Sequence, residues 1–261
     1  MKITAIILTY NRPEALEVIL KSVLNQRLTP DEVIIADDGS ENSTSDIISK
    51  YKTKLPCNLK HVWHKDRGFR GSKIRNKATK ASTGDWLIFS DGDLVFHSSF
   101  FYDFKTNVLH GTALIGSRVF LSKQLSTKIL ETREFHGVTF LSSDIDKNRL
   151  NSIRLPIISK LFRQKKLSPN LRGGLLAVEK RELIKINGWN EDFIGWGLED
   201  TEIVARLYFS GIKLKKLKFA GITYHLWHPL SSRKNVSKNN LLLAKTIKNQ
   251  STWCENGLFK G

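Results

Sequence analysis

Three short apolar runs in the first hundred residues each stop at a polar loop, and helical patterns fill the intervals between them. Residues 3–8, 32–36 and 86–89 are mostly β-branched or aromatic, long enough for strands and too short for helices. From Pro13 the positions Leu16, Ile19, Leu20, Val23 and Leu24 recur at helical spacing, with Pro13 in the first turn and Glu14 and Glu17 where the helix dipole favours acids. A polar helical stretch reaches about Tyr51, residues 60–63 read as a further strand and residues 73–81 as a further helix. Strands alternating with helices imply an α/β fold with a parallel sheet and right-handed crossovers. Ligands of such sheets bind beyond the carboxyl ends of the strands. Thr9-Tyr10-Asn11, Asp37-Asp38 and Asp91-Gly92-Asp93 all fall there, so three polar loops are expected on one rim.

After Phe100 the pattern is less regular, and residues 121–170 yield no assignable element. Order returns with a strand over 173–178 that opens on Gly173-Gly174, then a helix over 180–186. Gly188-Trp189 and Gly195-Trp196-Gly197-Leu198-Glu199-Asp200 follow, the latter opening a helix that runs to Phe209. A final strand over 213–219 precedes Tyr224-His225-Leu226-Trp227-His228-Pro229, and the tail from Leu230 is basic and helical around 241–247.

The formal charge of +17 attracts polyanions, whether nucleic acid, anionic lipid or phosphorylated substrates. Residues 147–172 hold eight Lys or Arg and no acid, interleaved with Ile153, Leu155, Ile157, Ile158, Leu161 and Phe162. A membrane-surface segment and a solvated basic face both fit that mixture. Cys57 and Cys254 have no metal or disulfide spacing, which suits a reducing compartment. The first residues are apolar for too short a run to be a signal peptide or a span, so the expected location is cytoplasmic, soluble or peripheral on the inner face of a membrane.

Asp91-Gly92-Asp93 sets two carboxylates at alternate positions at a strand end, with a glycine that lets a phosphate approach. A hard divalent cation bridges such carboxylates to phosphates, although Asp and Gly are also common turn residues. His225 and His228 can join carboxylate oxygens around manganese or a similar metal, or serve as surface residues. Asp37-Asp38-Gly39-Ser40 fits carboxylates that hold a ribose or base, and equally an Asx turn. Between residues 65 and 80, Arg67, Arg70, Lys73, Arg75, Lys77 and Lys80 lie near Gly68 and Gly71, a density that suits a diphosphate, with some of the lysines on a solvated helix face.

These residues resemble a known family. The runs 6–12 and 33–40, Arg75-Asn76 with Thr83-Gly84-Asp85, and Asp91-Gly92-Asp93 look like the family 2 glycosyltransferases of the GT-A fold, a Rossmann-like, mainly parallel mixed sheet flanked by helices. Gly173-Gly174, Gly188-Trp189 and Trp196-Gly197-Leu198-Glu199-Asp200 look like the acceptor half of β-1,4-galactosyltransferases and bacterial chondroitin polymerases. The resemblance implies one continuous two-lobed domain: a nucleotide-sugar lobe over 1–100, an acceptor lobe over 101–229 and a basic tail over 230–261. It further implies that Thr9, Tyr10, Asn11, Arg12, Asp37 and Asp38 hold the donor, that Asp91 orients it, and that Arg67, Arg70 and Lys73 face the diphosphate. Asp93 with His225 or His228 would bind Mn²⁺ or Mg²⁺. Gly173, Gly174, Trp189, Trp196 and Gly197 would face the acceptor, with Asp200 as base and Glu199 beside it.

The implied activity is metal-dependent transfer of one sugar from a UDP-sugar to a saccharide or lipid-linked acceptor, with inversion, in cell-surface polysaccharide or lipopolysaccharide synthesis. The Gln-x-x-Arg-Trp signature of processive synthases is missing. A nucleotidyltransferase would share the sheet, the acidic metal ligands and the basic loop, but not the Trp-Gly-x-Glu-Asp element. A nucleic-acid binder has only the charge in its favour, since acidic rim loops repel phosphates unless a metal intervenes. No nucleic acid is expected as a partner.

Overall fold

The alternation in the first hundred residues forms β1 (Ile3–Thr9), α1 (Pro13–Leu24), β2 (Glu32–Asp37), α2 (Asn42–Lys52), β3 (Asn58–Trp63), α3 (Gly71–Ala81) and β4 (Trp86–Asp91). The computed structural model describes residues 1–159, 173–229 and 232–260. The unassigned middle of the chain holds β5 (Leu94–Phe96), α4 (Phe100–Lys105), β6 (Thr112–Ile115), β7 (Ser117–Leu121), α5 (Lys123–Thr132), β8 (Ile145–Lys147) and α6 (Pro156–Ser159). Then come β9 (Leu175–Glu179), α7 (Lys180–Lys185), α8 (Glu199–Phe209), β10 (Lys213–Lys216), β11 (Ile222–His225) and α9 (Val236–Lys248). Of the basic stretch over 147–172, residues 160–172 lie outside the described residues.

Among the described residues, seven strands form one sheet in the order β10-β6-β9-β4-β1-β2-β3. Every pairing in it is parallel except those of β9, which runs antiparallel between β4 and β6. The sheet is therefore mixed and mainly parallel, and a strand from the second half of the chain lies inside the sheet begun by the first. Alternation along β1 divides its side chains between two cores. Ile3, Ala5 and Ile7 pack with α1, Phe100 and Tyr224. Ile6 and Leu8 pack with Phe89, Trp189 and the α8 residues Ile203, Val204 and Leu207. Burying each such aliphatic side chain contributes about 1.5–3 kcal/mol, so the sheet is held from both faces.

A second sheet, β5-β11-β7-β8, stands beside the first. It corrects the expected final strand over 213–219. That strand stops at Lys216, the chain turns through Phe219 at φ 62° and Gly221 at φ 58°, and Ile222–His225 becomes β11. A left-handed backbone cannot continue a strand. The tail, expected to be only partly helical, forms α9 along α8, where Thr246 Oγ1 donates to Glu202 Oε1 at 3.2 Å. Beyond it, the Asn187 side chain donates to the carbonyls of Cys254 and Phe259 and accepts from the Phe259 N–H. Among the described residues no helix is long and apolar enough to cross a membrane.

Candidate active site

Strand register builds the rim. Thr9 lies opposite Asp37 and Leu8 opposite Asp91, so the loops after β1, β2 and β4 end at one level. The second sheet adds His225, which pairs with Leu94 and so stands beside Asp93. The amino end of α8 closes the other side. Together they enclose a cleft of about 930 Å³ lined by Thr9, Asp38, Asp91, Asp93, Glu199, Asp200, His225 and His228, among others.

Gly92 has a packing reason of its own. A Cβ there would sit 2.2 Å from the Leu8 carbonyl oxygen, so the close approach of β1 and β4 by itself requires a glycine, which also lines the cleft. The turn it allows carries Asp93 into the cleft. Potential ligand atoms of Asp93, His225 and His228 all lie within 4.8 Å of one another. His228 Nδ1 lies 2.7 Å from the Pro229 carbonyl, to which it donates, while its Nε2 faces Asp93 Oδ2 at 3.0 Å. In a neutral imidazole that Nε2 is a lone pair, and two lone pairs at this distance need a proton or a cation between them. Asp93 Oδ1 is buried with no hydrogen-bond partner. Burial acts to raise the Asp93 carboxyl, but the His228 hydrogen bond and the nearby cations hold it well below the usual range. Burial lowers the His225 imidazole, whereas the Asp93 hydrogen bond raises that of His228. One carboxylate with two imidazoles fits a divalent metal that accepts nitrogen as well as oxygen, manganese among them, better than magnesium, which prefers oxygen alone.

Asp91 points elsewhere, toward two arginines. Arg75 Nη2 donates to Asp91 Oδ1 at 2.9 Å, and Arg118 Nη2 lies 3.2 Å from Oδ2. Arg75 is buried, stacks on Trp189 at 4.5 Å and also reaches Glu199 Oε1 at 3.5 Å. The Cβ of a larger residue at Gly174 would fall 2.0 Å from Arg118 Nη2, so this glycine makes room for the Asp91–Arg118 pair. Glu199 is 9% exposed, and its Oε2 has no partner. Burial, with help from Asp200, pushes the Glu199 carboxyl up to about 7 against the pull of Arg75. Asp200 is half-buried beside it in the first turn of α8, where the helix dipole favours negative charge.

At the opposite end Asp38 lines the cleft, its oxygens held by His64 Nε2 at 2.6 Å and the Arg70 N–H at 2.8 Å. Burial raises its carboxyl despite both contacts. Thr9 Oγ1 is buried without a partner. Tyr10 lines the cleft and its hydroxyl donates to Asp66, while Arg12 Nη1 lies 3.8 Å from Asp93 Oδ2.

Several expected residues are not in the cleft. Asp37 is buried, and both its oxygens are occupied by the Gly39 and Ser40 N–H groups and by His61, so it holds the turn. Asn11, at φ 46°, accepts from the Glu41 N–H and braces the same loop. The side chains of Arg67, Arg70 and Lys73 do not line the cleft: Arg67 and Arg70 lie before α3, Arg67 exposed, and α3 turns Arg75 inward. Gly173 packs under α8, its N–H donating to the Asp200 carbonyl at 3.2 Å. Trp189 is 0% exposed, edge-on to Phe89 with its backbone held by Asn76, and cannot face a sugar. Trp196, 39% exposed, and Gly197 do line the cleft, as does Trp227. The residues that sequence reasoning missed are Arg118, whose alternating strand over 117–121 was the available signal, and Trp227.

The model for glycosyl transferase family 2 matches residues 4–165, and that for the N-terminal domain of galactosyltransferase matches residues 154–229. The chain is 28% identical over 243 residues to the chondroitin synthase of Pasteurella multocida (strain Pm70), covering 85% of itself and 24% of that protein. It thus spans about a quarter of that relative's length. Staphylococcus aureus TarS 1–349 in complex with UDP superposes with a TM-score of 0.62 at 20% identity, over 95% of this chain and 66% of the other. The mannosyltransferase PcManGT from Pyrobaculum calidifontis, in complex with GDP-Man and Mn²⁺, gives 0.66 at 17% identity, over 95% and 64%. These likenesses establish the fold, the GT-A arrangement.

Proposed function

The chain belongs to glycosyl transferase family 2, and we propose that it moves one sugar from a UDP-sugar to a saccharide or lipid-linked acceptor in the building of a cell-surface polysaccharide or lipopolysaccharide. The observation that carries this reading is one cleft bordered by Asp93, His225 and His228 on one side and by Glu199 and Asp200 on the other. Asp93 and the two histidines would hold a divalent cation, preferably manganese, which when bound would supply Lewis-acid stabilisation of the leaving diphosphate. Asp38, Thr9 and Tyr10 hold the nucleoside, and Arg12 and Arg118 lie beside its phosphates. Asp91, clamped by two arginines, keeps a fixed orientation toward the donor.

Asp200 removes the proton from the acceptor hydroxyl as the oxygen bonds to the anomeric carbon. The bond from that carbon to the diphosphate oxygen breaks and takes its electron pair with it, which inverts the centre. Glu199, held near neutrality in protonation by burial, donates or accepts a hydrogen bond to the acceptor. Trp196 packs against a sugar ring. The UDP preference is supported by the TarS complex, and a saccharide acceptor by the chondroitin synthase relative. Residues 1–100 form the donor lobe and 101–229 the acceptor lobe. The eight Lys or Arg over residues 147–172, interleaved with aliphatic residues such as the exposed Ile157, support reversible attachment to an anionic membrane surface. Release of UDP from a panel of UDP-sugars, with and without manganese and with chondroitin oligosaccharides as acceptors, is the test. Turnover that ignores chelator defeats the metal role, and turnover only with other nucleotides defeats the donor assignment.

A further inference from the structure

The loop that carries Trp196 has little structure of its own. Gly195 and Gly197 take φ values of 76° and 108° and Leu198 takes 74°; the segment lies in no helix or strand, and its backbone is tied at its two ends, by the Gly195 N–H to the Phe69 carbonyl at 3.0 Å and by the Glu202 N–H to the Leu198 carbonyl at 2.9 Å. A loop with three left-handed residues has many competing conformations, so its shape in the cleft has to be imposed from outside. Between those ties the partner is α9, from the segment read in the sequence as a basic tail.

Asn239 is the point of contact. Most of α9 is exposed, yet Asn239 is 0% exposed; its Oδ1 has no hydrogen-bond partner, so the bonds of its Nδ2 are what answer the burial of this amide. Its Nδ2 donates to the Gly197 carbonyl at 2.9 Å and lies 3.4 Å from that of Ile194. One amide group therefore spans the loop on both sides of Trp196. The fit is close on the same face: a Cβ on Gly195 would stand 2.4 Å from Asn235 Nδ2, and Val236 lines the cleft beside Gly197. Just before α9, the Arg233 guanidinium lies 5.8 Å from the Trp196 ring. Thr246, two turns further along, fastens α9 to α8 through Glu202, outside the loop.

We propose that Asn239 is a positioning residue for the acceptor side of the cleft, holding Trp196 and Gly197 in the shape that receives a sugar while taking no part in donor binding. The proposal rests on the acceptor role given to Trp196 above. Its first test does not: hydrogen exchange in the full-length protein over residues 194–198, comparing wild type with Asn239→Leu and Thr246→Val. Asn239→Leu keeps the bulk and removes the amide. It should raise exchange in that segment at least tenfold and leave residues 37–40 unchanged, whereas Thr246→Val should leave both unchanged. Equal exchange over 194–198 in Asn239→Leu and wild type, or an equal rise in Thr246→Val, overturns the proposal. Asn239→Ser, which retains a shorter donor, covers the case in which the leucine variant does not fold and should give an intermediate rise. The second test is kinetic. With a chondroitin tetrasaccharide and a UDP-sugar, Asn239→Leu should raise the acceptor KM at least tenfold and leave acceptor-independent UDP release within twofold. Loss of both in equal measure overturns the acceptor-specific role. A wild-type enzyme whose loop responds as expected, but whose turnover ignores every saccharide, would instead fault the acceptor assignment to Trp196.

Discussion

Replacing Glu199 by glutamine removes a buried charge without changing the shape of the side chain, and its effect on stability depends on pH in a direction that the structure fixes. The carboxyl is held at about 7 in the fold against an ordinary 4.5, first by burial and then by Asp200. Between those two values the folded chain keeps a proton that the unfolded chain has released. This group's contribution to stability therefore falls as pH rises through that window, and above it the ionised carboxylate costs the fold about 3 kcal/mol. Glutamine carries no charge at any pH. Allowing for imperfect hydrogen bonding of the amide to Arg75, Glu199→Gln should stabilise the protein by about 2 kcal/mol at pH 8, or about 4–8 °C in Tm for a chain of this size. At pH 4.5 the gain should vanish. Thermal unfolding followed by circular dichroism at both pH values, with chelator present so that metal binding adds nothing, measures it. A change in Tm of the same size at both pH values, or a lower Tm at pH 8, would refute the reasoning.

Four further outcomes are expected. Asp93→Ala should abolish manganese-dependent binding of UDP in calorimetry, and affinity equal to wild type with and without chelator would remove the metal bridge. Asp200→Asn should leave UDP affinity unchanged and lower kcat by about 10²- to 10⁴-fold; near-normal kcat, with the loss appearing in Glu199→Gln instead, would exchange the two roles. Arg75→Met should destabilise the fold by about 3 kcal/mol in urea unfolding, because Asp91 loses one of its two arginines and Glu199 the cation that faces it among the described residues. Gly92→Ala should unfold or misplace the β4 turn, since its Cβ meets backbone rather than a movable side chain, and a variant with wild-type Tm would contradict the close approach to Leu8.

The donor half of the fold was legible because β1, β2 and β4 are short buried runs ended by polar loops, a pattern set by local residues. The second sheet was not. Val119 and Leu121 alternate with Arg118 and Phe120, but β8 is three residues long and β5 follows β4 after a single turn, too little for periodicity to register. For the site, the identity of the carboxylates and histidines could be read from the chain, since Asp93, His225 and His228 meet. Which cations face them could not: Arg67, Arg70, Lys73 and Arg75 look alike in sequence, and only the direction of α3 sends Arg75 inward. Trp189 and Trp196 also sit in similar Gly-Trp contexts, and packing on Phe89 separates a core residue from an exposed one.

The position of β9 has a consequence for how this molecule is made. Trp86 pairs with Glu179 and Ser90 with Leu175, so during translation one edge of β4 is complete long before its partner leaves the ribosome. Until then the nascent chain carries an unpaired, apolar edge, Leu87 to Phe89, of the kind that recruits strands from other chains. Contacts this distant in sequence also slow folding. A chain released before β9 emerges should therefore be a client of chaperones rather than a small folded donor domain, and the two halves of the cleft are born together or not at all.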